Sequence, residues 1–278
     1  MRLSRRGILI GTLAGGGLFA GYLLRPRSFP LPLEPAAGEV AFDAWIRIAR
    51  DGVVTIAVPQ LEMGQGITTL LPQIAAVELG ADWRQIAVEP APVSAHYANL
   101  PLAARWAELW MPALPSLAAE ADSAIARRWA QDNRFTATAD GTALAAYEQP
   151  VREAAATVRA LLAKAAARRW DVAPEECEAR GGFIVHGDKR EPFAVLAQEA
   201  AAFDPPETPP LRPQPPREDP EAHPAGTSPP FARLDLPSKS DGTFLFAGDV
   251  RLPGMVYAAI RHGPVGDARL TRFDGEAA

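Results

Sequence analysis

The chain has 278 residues, 48% of them hydrophobic, which is enough to bury one large core or two small ones. Its 33 acidic residues against 28 Lys and Arg give a formal net charge of −5, so a broad basic surface for nucleic acid is excluded. The single cysteine, Cys177, excludes an intrachain disulfide framework and an iron–sulfur cluster ligated by this chain alone. The four histidines are scattered and give no metal-site pattern.

The first thirty residues have the pattern of a targeting segment. Arg5 and Arg6 directly precede an apolar, glycine-rich run that reaches Leu24. This pattern predicts a twin-arginine export signal and a periplasmic location, and it favours a protein that folds around a cofactor before export. No clear Ala-x-Ala cleavage site follows, so the segment is either removed or kept as an N-terminal anchor. A short buried helix after a basic start is the remaining alternative.

A β-hairpin is predicted next. Hydrophobic residues alternate in 45–49 and 53–58 on either side of Asp51-Gly52, a strong two-residue turn signal. The second strand leads into the segment Glu62-Met63-Gly64-Gln65-Gly66, called the glycine loop below. A helix is predicted over 72–80, with Pro72 in its first turn and Gly80 as its stop.

The glycine loop is the most informative stretch of the chain. Glycines allow positive φ angles and close approach of a ligand, and the free N–H groups at the start of the next helix attract anions. We therefore predict that the loop holds an anionic group, although a plain tight turn has the same pattern. Glu62 is interpreted as a solvated or hairpin-end charge.

Further elements follow in chain order. Sequence patterns predict helices over 116–131 and 151–170, strands over 85–89 and 135–139, a turn at Asp140-Gly141, and a hairpin that joins 177–179 to 183–185 through Gly181-Gly182. Prolines crowd from Pro205 to Pro230 and predict an extended connector. Beyond it, 244–246 and 255–260 are predicted to be strands. The whole pattern predicts an α+β fold.

Two segments carry a family resemblance. With Met63-Gly64-Gln65-Gly66 and Asp249-Val250-Arg251-Leu252-Pro253-Gly254-Met255, the chain resembles the N-terminal portion of the molybdopterin-binding large subunit of the xanthine dehydrogenase/aldehyde oxidoreductase family, of the isoquinoline 1-oxidoreductase beta-subunit type. The resemblance implies part of a molybdopterin-binding domain of mixed sheet and helices, followed by a truncated α/β hammerhead segment. The implied organisation is a signal or anchor (1–30), the first part of the molybdopterin-binding domain (38–203), a proline-rich linker (204–232) and an incomplete hammerhead domain (233–278).

The resemblance also implies cofactor contacts. Gly64 and Gln65 would touch the pterin of a molybdopterin cytosine dinucleotide, with Gly66 and Thr69 close by. A side-chain amide can donate to and accept from a pterin edge, and glycines let main-chain N–H groups reach pyrophosphate oxygens. Neither a catalytic residue nor a metal ligand is assigned within this chain.

A second cofactor loop of the family corresponds to residues 138–143, and here the sequence departs from the family pattern. Thr142 is left as its main hydroxyl donor, and Asp140 stands where a serine is usual. A carboxylate would repel a nearby phosphate unless it turned away or paired with a cation.

The implied reaction is hydroxylation of an aldehyde or nitrogen heterocycle with oxygen from water. Its electrons would pass to a small subunit with two 2Fe–2S clusters. The family's catalytic glutamate falls beyond residue 278, so we expect no turnover by this chain alone. The chain is then either a gene fragment or one piece of a split protein, and in the second case a complementing C-terminal chain is its partner. The alternative is a non-catalytic exported scaffold or binding module that has lost the cofactor. A hydrolase is disfavoured because no Gly-x-Ser-x-Gly elbow occurs. Trp106 and Trp110 are interpreted as packing residues rather than as a substrate approach or a surface for a partner subunit.

Overall fold

The computed structural model describes residues 21, 25, 27–213, 231–264 and 268–275, so most of the predicted export signal lies outside the described residues. Contacts divide the chain into two units, Met1–Leu236 and Pro237–Ala278. The first unit combines two β-sheets with helices, which confirms the predicted α+β class. The predicted domain boundaries stay predictions.

The strands form two separate sheets. The first contains β1 (Glu39–Ala41), β2 (Ile46–Ala49), β3 (Val54–Val58) and β4 (Ile86–Pro90), and the second contains β5 (Glu178–Arg180), β6 (Phe183–His186) and β7 (Lys189–Pro192). The α-helices are α1 (Ile67–Leu79), α2 (Leu100–Arg105), α3 (Ala107–Trp110), α4 (Ala124–Asp132), α5 (Ala143–Trp170), α6 (Phe193–Ala200) and α7 (Leu236–Asp241).

The first sheet positions the glycine loop. Strands β2 and β3 pair antiparallel as the predicted hairpin, and the turn between them has Gly52 at φ +92°. The predicted strand β4 is also confirmed, and it pairs parallel to β3. A parallel pair needs a crossover connection, and α1 supplies it. The glycine loop therefore lies at the carboxyl end of β3, immediately before the crossover helix.

Helix α1 begins earlier than predicted. It starts at Ile67, and Pro72 lies inside it rather than in its first turn. The prediction was wrong because the start is set by a side chain of the glycine loop, described below, and because one proline removes only one backbone hydrogen bond. The predicted stop is confirmed: Gly80 has φ +80° and its N–H donates to Ala76 O at 2.8 Å.

The core lies between the first sheet and three helices. Helices α1 and α6 both pack on the 28-residue α5, which begins at Ala143 and continues through Pro150, so its predicted start at residue 151 was wrong. The largest fully buried aliphatic side chains of this core are Ile46, Ile48, Ile56, Ile67, Leu71, Leu79, Leu162 and Ile184. Burial of each such side chain stabilises the folded state by about 1.5–3 kcal/mol relative to leaving it exposed.

A buried ion cluster joins α1 to α5. The Glu78 side chain is 3% exposed, and its carboxylate lies 3.1 Å from both Arg152 Nη2 and Arg159 Nη2. It also accepts the backbone N–H of Arg212 at 2.7 Å, and Arg212 Nε donates to the Glu78 carbonyl at 3.0 Å. Residues 204–213 of the predicted connector are therefore anchored to the body of the first unit, although they form neither helix nor strand.

Two predictions between residues 116 and 139 were wrong. Helix α4 begins only at Ala124, because Ser123 Oγ accepts the Ala126 N–H at 3.4 Å and caps it there. Residues 135–139 form no strand, since their carbonyl groups accept hydrogen bonds from Asn99 and Gln60 instead of a neighbouring strand. The predicted turn at Asp140-Gly141 is confirmed, with φ +54° and +65°.

The C-terminal predictions had mixed outcomes. The hairpin through Gly181-Gly182 is confirmed as β5–β6, and β7 was not predicted. Residues 244–246 and 255–260 are not strands, so the prediction of two strands in this region was wrong. A strand needs a partner ladder, and the described part of Pro237–Ala278 contains none. None of the described residues in this second unit is buried.

Candidate functional site

The glycine loop has the backbone that its sequence predicts. Gly64 has φ +105° and Gly66 has φ +80°, angles that side chains other than glycine adopt only with strain. A Cβ built on either glycine meets nothing within 4 Å. The loop therefore has an open face on which another molecule can approach the backbone closely.

Glu62 is not the solvated charge that the sequence indicated. Its side chain is 7% exposed. One carboxylate oxygen accepts the N–H groups of Gly64 at 2.8 Å and Gly66 at 2.9 Å, and the other accepts Thr68 N at 3.1 Å and Thr68 Oγ1 at 3.0 Å. The prediction was wrong because the partial positive charge at the start of α1 attracts the nearest carboxylate, which belongs to the loop itself.

The electrostatics of Glu62 follow from these contacts. Burial acts to raise its pKa, but the hydrogen bonds from Gly66, Thr68 and Gly64 together outweigh burial and bring the pKa below its ordinary value. Arg233 Nη2 lies 3.5 Å from the same carboxylate and 2.8 Å from Asp235. Glu62 is therefore ionised at neutral pH and forms the negative centre of the loop.

The Gln65 side chain stabilises the loop through hydrogen bonds to the loop backbone. Its Oε1 accepts the Met63 N–H at 2.6 Å, and its Nε2 donates to the Leu61 carbonyl at 2.6 Å. The residue is exposed, but its amide is already used on both sides. The predicted contact of Gln65 with a pterin stays a prediction and requires these hydrogen bonds to be exchanged or shared.

The two predicted threonines lie inside the protein. Thr69 is 6% exposed and its hydroxyl accepts the Leu234 N–H at 3.1 Å. Thr142 is 3% exposed; its hydroxyl accepts from Asn99 Nδ2 at 3.0 Å and donates to Ala139 O at 2.9 Å. Both hydroxyl groups hold chain segments together here, and their cofactor contacts stay predictions.

The structure brings the two predicted cofactor loops together. The Leu61 N–H donates to Thr138 Oγ1 at 3.0 Å, and Gln60 Nε2 donates to the Thr136 carbonyl at 3.0 Å and lies 3.3 Å from the Tyr147 hydroxyl. Gln60 is 7% exposed. Its Oε1 is fully buried and has no hydrogen-bond partner within the described ranges. Sequence reasoning missed Gln60 because only the tertiary contact distinguishes it from any other amide.

Asp140 is paired with its surroundings. Its Oδ2 accepts Trp106 Nε1 at 2.9 Å and lies 4.0 Å from Arg105 Nη1, which also donates to the Asp140 carbonyl at 2.8 Å. Pairing with a cation is one of the two ways by which the sequence allowed a carboxylate near a phosphate. Trp110 stacks on Trp129 at 4.4 Å between ring centroids, as expected for packing residues.

A cavity of about 580 Å³ lies beside the second loop. Its lining includes Ala145, Ala146 and Tyr147, together with Trp45 and His96, and it includes none of the five predicted cofactor residues. In the part of the chain that the structure describes, no cluster of three or more His, Cys, Asp or Glu residues could hold a metal ion. No helix in the same part combines the length and apolarity that crossing a membrane requires.

This region is similar to known proteins. Residues 28–136 match the family of molybdopterin cofactor-binding domains. The chain is 28% identical over 309 aligned positions to the isoquinoline 1-oxidoreductase subunit beta of Brevundimonas diminuta, an alignment that covers 100% of this chain and 36% of that protein. It is 27% identical over 275 positions to the membrane-bound aldehyde dehydrogenase (pyrroloquinoline-quinone) of Gluconacetobacter polyoxogenes, covering 94% of this chain and 30% of that one.

These comparisons confirm the resemblance to molybdopterin-binding oxidoreductase subunits. The chain spans about a third of the length of the curated relatives it matches. The family match includes β1–β4, α1 and the glycine loop, and it ends just before the second loop. The molybdenum–pterin assignment depends on this match, because the name of the second relative states pyrroloquinoline quinone.

Proposed function

We propose that this chain is the N-terminal part of the large subunit of a molybdopterin cytosine dinucleotide-dependent oxidoreductase that hydroxylates aldehydes or nitrogen heterocycles. The observation that supports it most is the junction of the two loops at Leu61 and Thr138, which lies within and next to the region that matches molybdopterin cofactor-binding domains. The two loops are far apart in the sequence, so they meet only because the chain folds. Their hydrogen bond suggests one composite surface.

The described residues fit part of such a cofactor. The open face at Gly64 and Gly66 leaves room for a flat ring system against the backbone. The unpaired Gln60 Oε1 is buried where the two loops meet, so it would accept an N–H group of the cofactor only after a local shift of this junction. The bound group would supply the oxidation chemistry. The chain's own residues would hold and orient it, since the described part of the chain contains no cluster of metal ligands.

The partners and location belong to the same proposal. Electrons would leave through an iron–sulfur small subunit with two 2Fe–2S clusters, because the single cysteine of this chain cannot hold such clusters. The catalytic glutamate and the remaining cofactor contacts would come from polypeptide outside residues 1–278. The paired arginines at residues 5 and 6 support export by the twin-arginine route to the periplasm, with or without retention on the inner membrane.

One observation favours the alternative of an exported scaffold without cofactor. Each of the predicted cofactor side chains, Gln65, Thr69 and Thr142, is hydrogen-bonded within the protein. Such a surface needs no ligand to satisfy its polar groups. The two functions differ in a quantity that is measured directly, the pterin content of the purified protein.

The decisive experiment is cofactor analysis of protein expressed from its own locus with the neighbouring reading frames. We expect molybdenum by mass spectrometry and cytidine monophosphate after acid hydrolysis, with no pyrroloquinoline quinone. Substituting Gln60→Leu should lower the molybdenum content several-fold, because the hydrogen bond from Gln60 Nε2 to the Thr136 carbonyl, which joins the two loops, is lost together with the Oε1 acceptor. Gln198→Leu, at an exposed amide on α6, is the matched control and should leave the content unchanged. Protein with neither molybdenum nor cytidine monophosphate would support the scaffold instead.

A further inference from the structure

The glycine loop is an unusual anion site because its anion belongs to the protein. Glu62 accepts the N–H groups of Gly64, Gly66 and Thr68, which are the groups that a phosphate would use at the start of a helix. The Thr68 hydroxyl completes the set at 3.0 Å. Both carboxylate oxygens therefore have two donors each, and the site is filled without a ligand.

The charge around the loop is also unfavourable for a second anion. Glu62 and Asp235 bring two carboxylates close to the loop, and Arg233, which lies within 3.5 Å of both, supplies one guanidinium. A phosphate placed at the same N–H groups would lie within contact distance of the Glu62 carboxylate, where like charges repel. By contrast, the outer face at Gly64 is exposed and open, so an uncharged group meets no such penalty.

We propose that Glu62 is a positioning residue that occupies the anion-binding N–H groups of the glycine loop itself and thereby excludes phosphate from the loop. The inference rests on the proposed function for its ligand. The loop then receives an uncharged, hydrogen-bonding edge of the cofactor, and the phosphate groups of the dinucleotide are held by other residues. Glu62 fixes the loop before the cofactor arrives, so little conformational entropy is lost when the cofactor binds.

This assignment also separates Glu62 from acid–base chemistry. A general base needs a carboxylate oxygen that can reach the proton it removes. The Glu62 carboxylate oxygens accept four hydrogen bonds from the glycine loop and the first turn of α1, and the side chain is 7% exposed. Glu62 therefore acts by ordering the backbone of the glycine loop and not by transferring a proton.

Pyrophosphate binding to the cofactor-free chain tests the proposal directly. Wild-type protein should show no change in Tm with millimolar pyrophosphate at constant ionic strength. In Glu62→Ala the N–H groups are vacated, and we expect pyrophosphate to bind at least tenfold more tightly than to wild type and to raise the Tm. Hydrogen–deuterium exchange should place the added protection at residues 62–70. Glu120→Ala, at an exposed glutamate without a described side-chain contact, is the control and should behave like wild type.

A second variant keeps the test decisive if Glu62→Ala does not fold. Glu62→Gln preserves the size of the side chain and removes its charge, and it should bind pyrophosphate at least threefold more tightly than wild type. Equal binding by wild type and both variants, or protection outside 62–70, would overturn the proposal. If the Glu62 variants bind pyrophosphate more tightly than wild type but the protein never contains molybdopterin, the result would count against the proposed function and not against the role of Glu62. The two failures are therefore distinguishable.

Discussion

The two ends of helix α1 each carry a carboxylate that is almost completely buried, and they hold it in different ways. At the start, Glu62 is held by N–H groups and a hydroxyl from residues within six positions of it in the sequence. Near the end, Glu78 is held by Arg152, Arg159 and Arg212, which are 74 to 134 positions away. The first arrangement shapes a loop that can meet a ligand, whereas the second fastens distant parts of the chain to the core.

This difference predicts unequal costs of substitution, and the largest should come from Glu78. Replacing it with alanine leaves the largely buried Arg152 and Arg159 guanidinium groups without their carboxylate, which costs about 3 kcal/mol of unfolding free energy. Urea denaturation measures the loss. Glu78→Gln keeps the shape and part of the hydrogen bonding and should cost less. A loss below about 1 kcal/mol for Glu78→Ala would show that the cluster contributes little to stability.

The glycines at the two ends provide a matched comparison of intermediate size. A Cβ on Gly80 would lie 2.4 Å from the Ala179 carbonyl oxygen, whereas a Cβ on Gly66 meets nothing within 4 Å, and both residues have φ +80°. Gly80→Ala should therefore cost about 3 kcal/mol, from backbone strain and the clash. Gly66→Ala should cost about 1 kcal/mol, from strain alone. Equal losses in urea denaturation would contradict the open face assigned to the glycine loop.

The smallest expected effect is the pH dependence of the Glu62 cap. Because the pKa of Glu62 is lower in the folded protein, its contribution to stability is complete above the pKa of the unfolded chain and is lost as the pH falls through the folded pKa. At pH 7, Glu62→Gln should be about 1 kcal/mol less stable than wild type. The difference should shrink toward zero in acid, below the ordinary glutamate pKa of 4.5. A stability difference that grows in acid would contradict the conclusion that hydrogen bonds lower the pKa of Glu62 in the folded protein.

The same comparison explains what sequence reasoning could reach. Local signals, such as the Asp51-Gly52 turn and the Gly80 stop, depend on backbone preferences of a few residues and were predicted correctly. The start of α1 was missed although its determinant, Glu62, is equally local, because the side chain folds back over two glycines whose φ angles cannot be read from the sequence with certainty. A sequence pattern indicates where a residue lies in an element or loop, but it does not give the direction of its side chain.

Long-range features were out of reach for a different reason. The pairing of Glu78 with Arg212 and the buried acceptor of Gln60 exist only after segments that are far apart in the sequence have packed together. Thr142 was predicted as a hydroxyl donor of the second loop, and its hydroxyl is turned toward Asn99 inside the protein. The family resemblance located the region of the candidate site. The tertiary structure was needed to show which polar groups in that region are already hydrogen-bonded within the protein.

The position of Cys177 gives the molecule a natural reporter. This sole thiol lines a cavity of about 640 Å³ together with Arg212 and residues 206, 208, 210, 211 and 213. Burial, together with the charges of Glu176 and Glu175, raises its pKa and slows alkylation of the resting protein. A maleimide dye would therefore attach at one known place without any engineered cysteine, and its rate of attachment would respond to changes in the packing of residues 206–213 beside the partly exposed thiol.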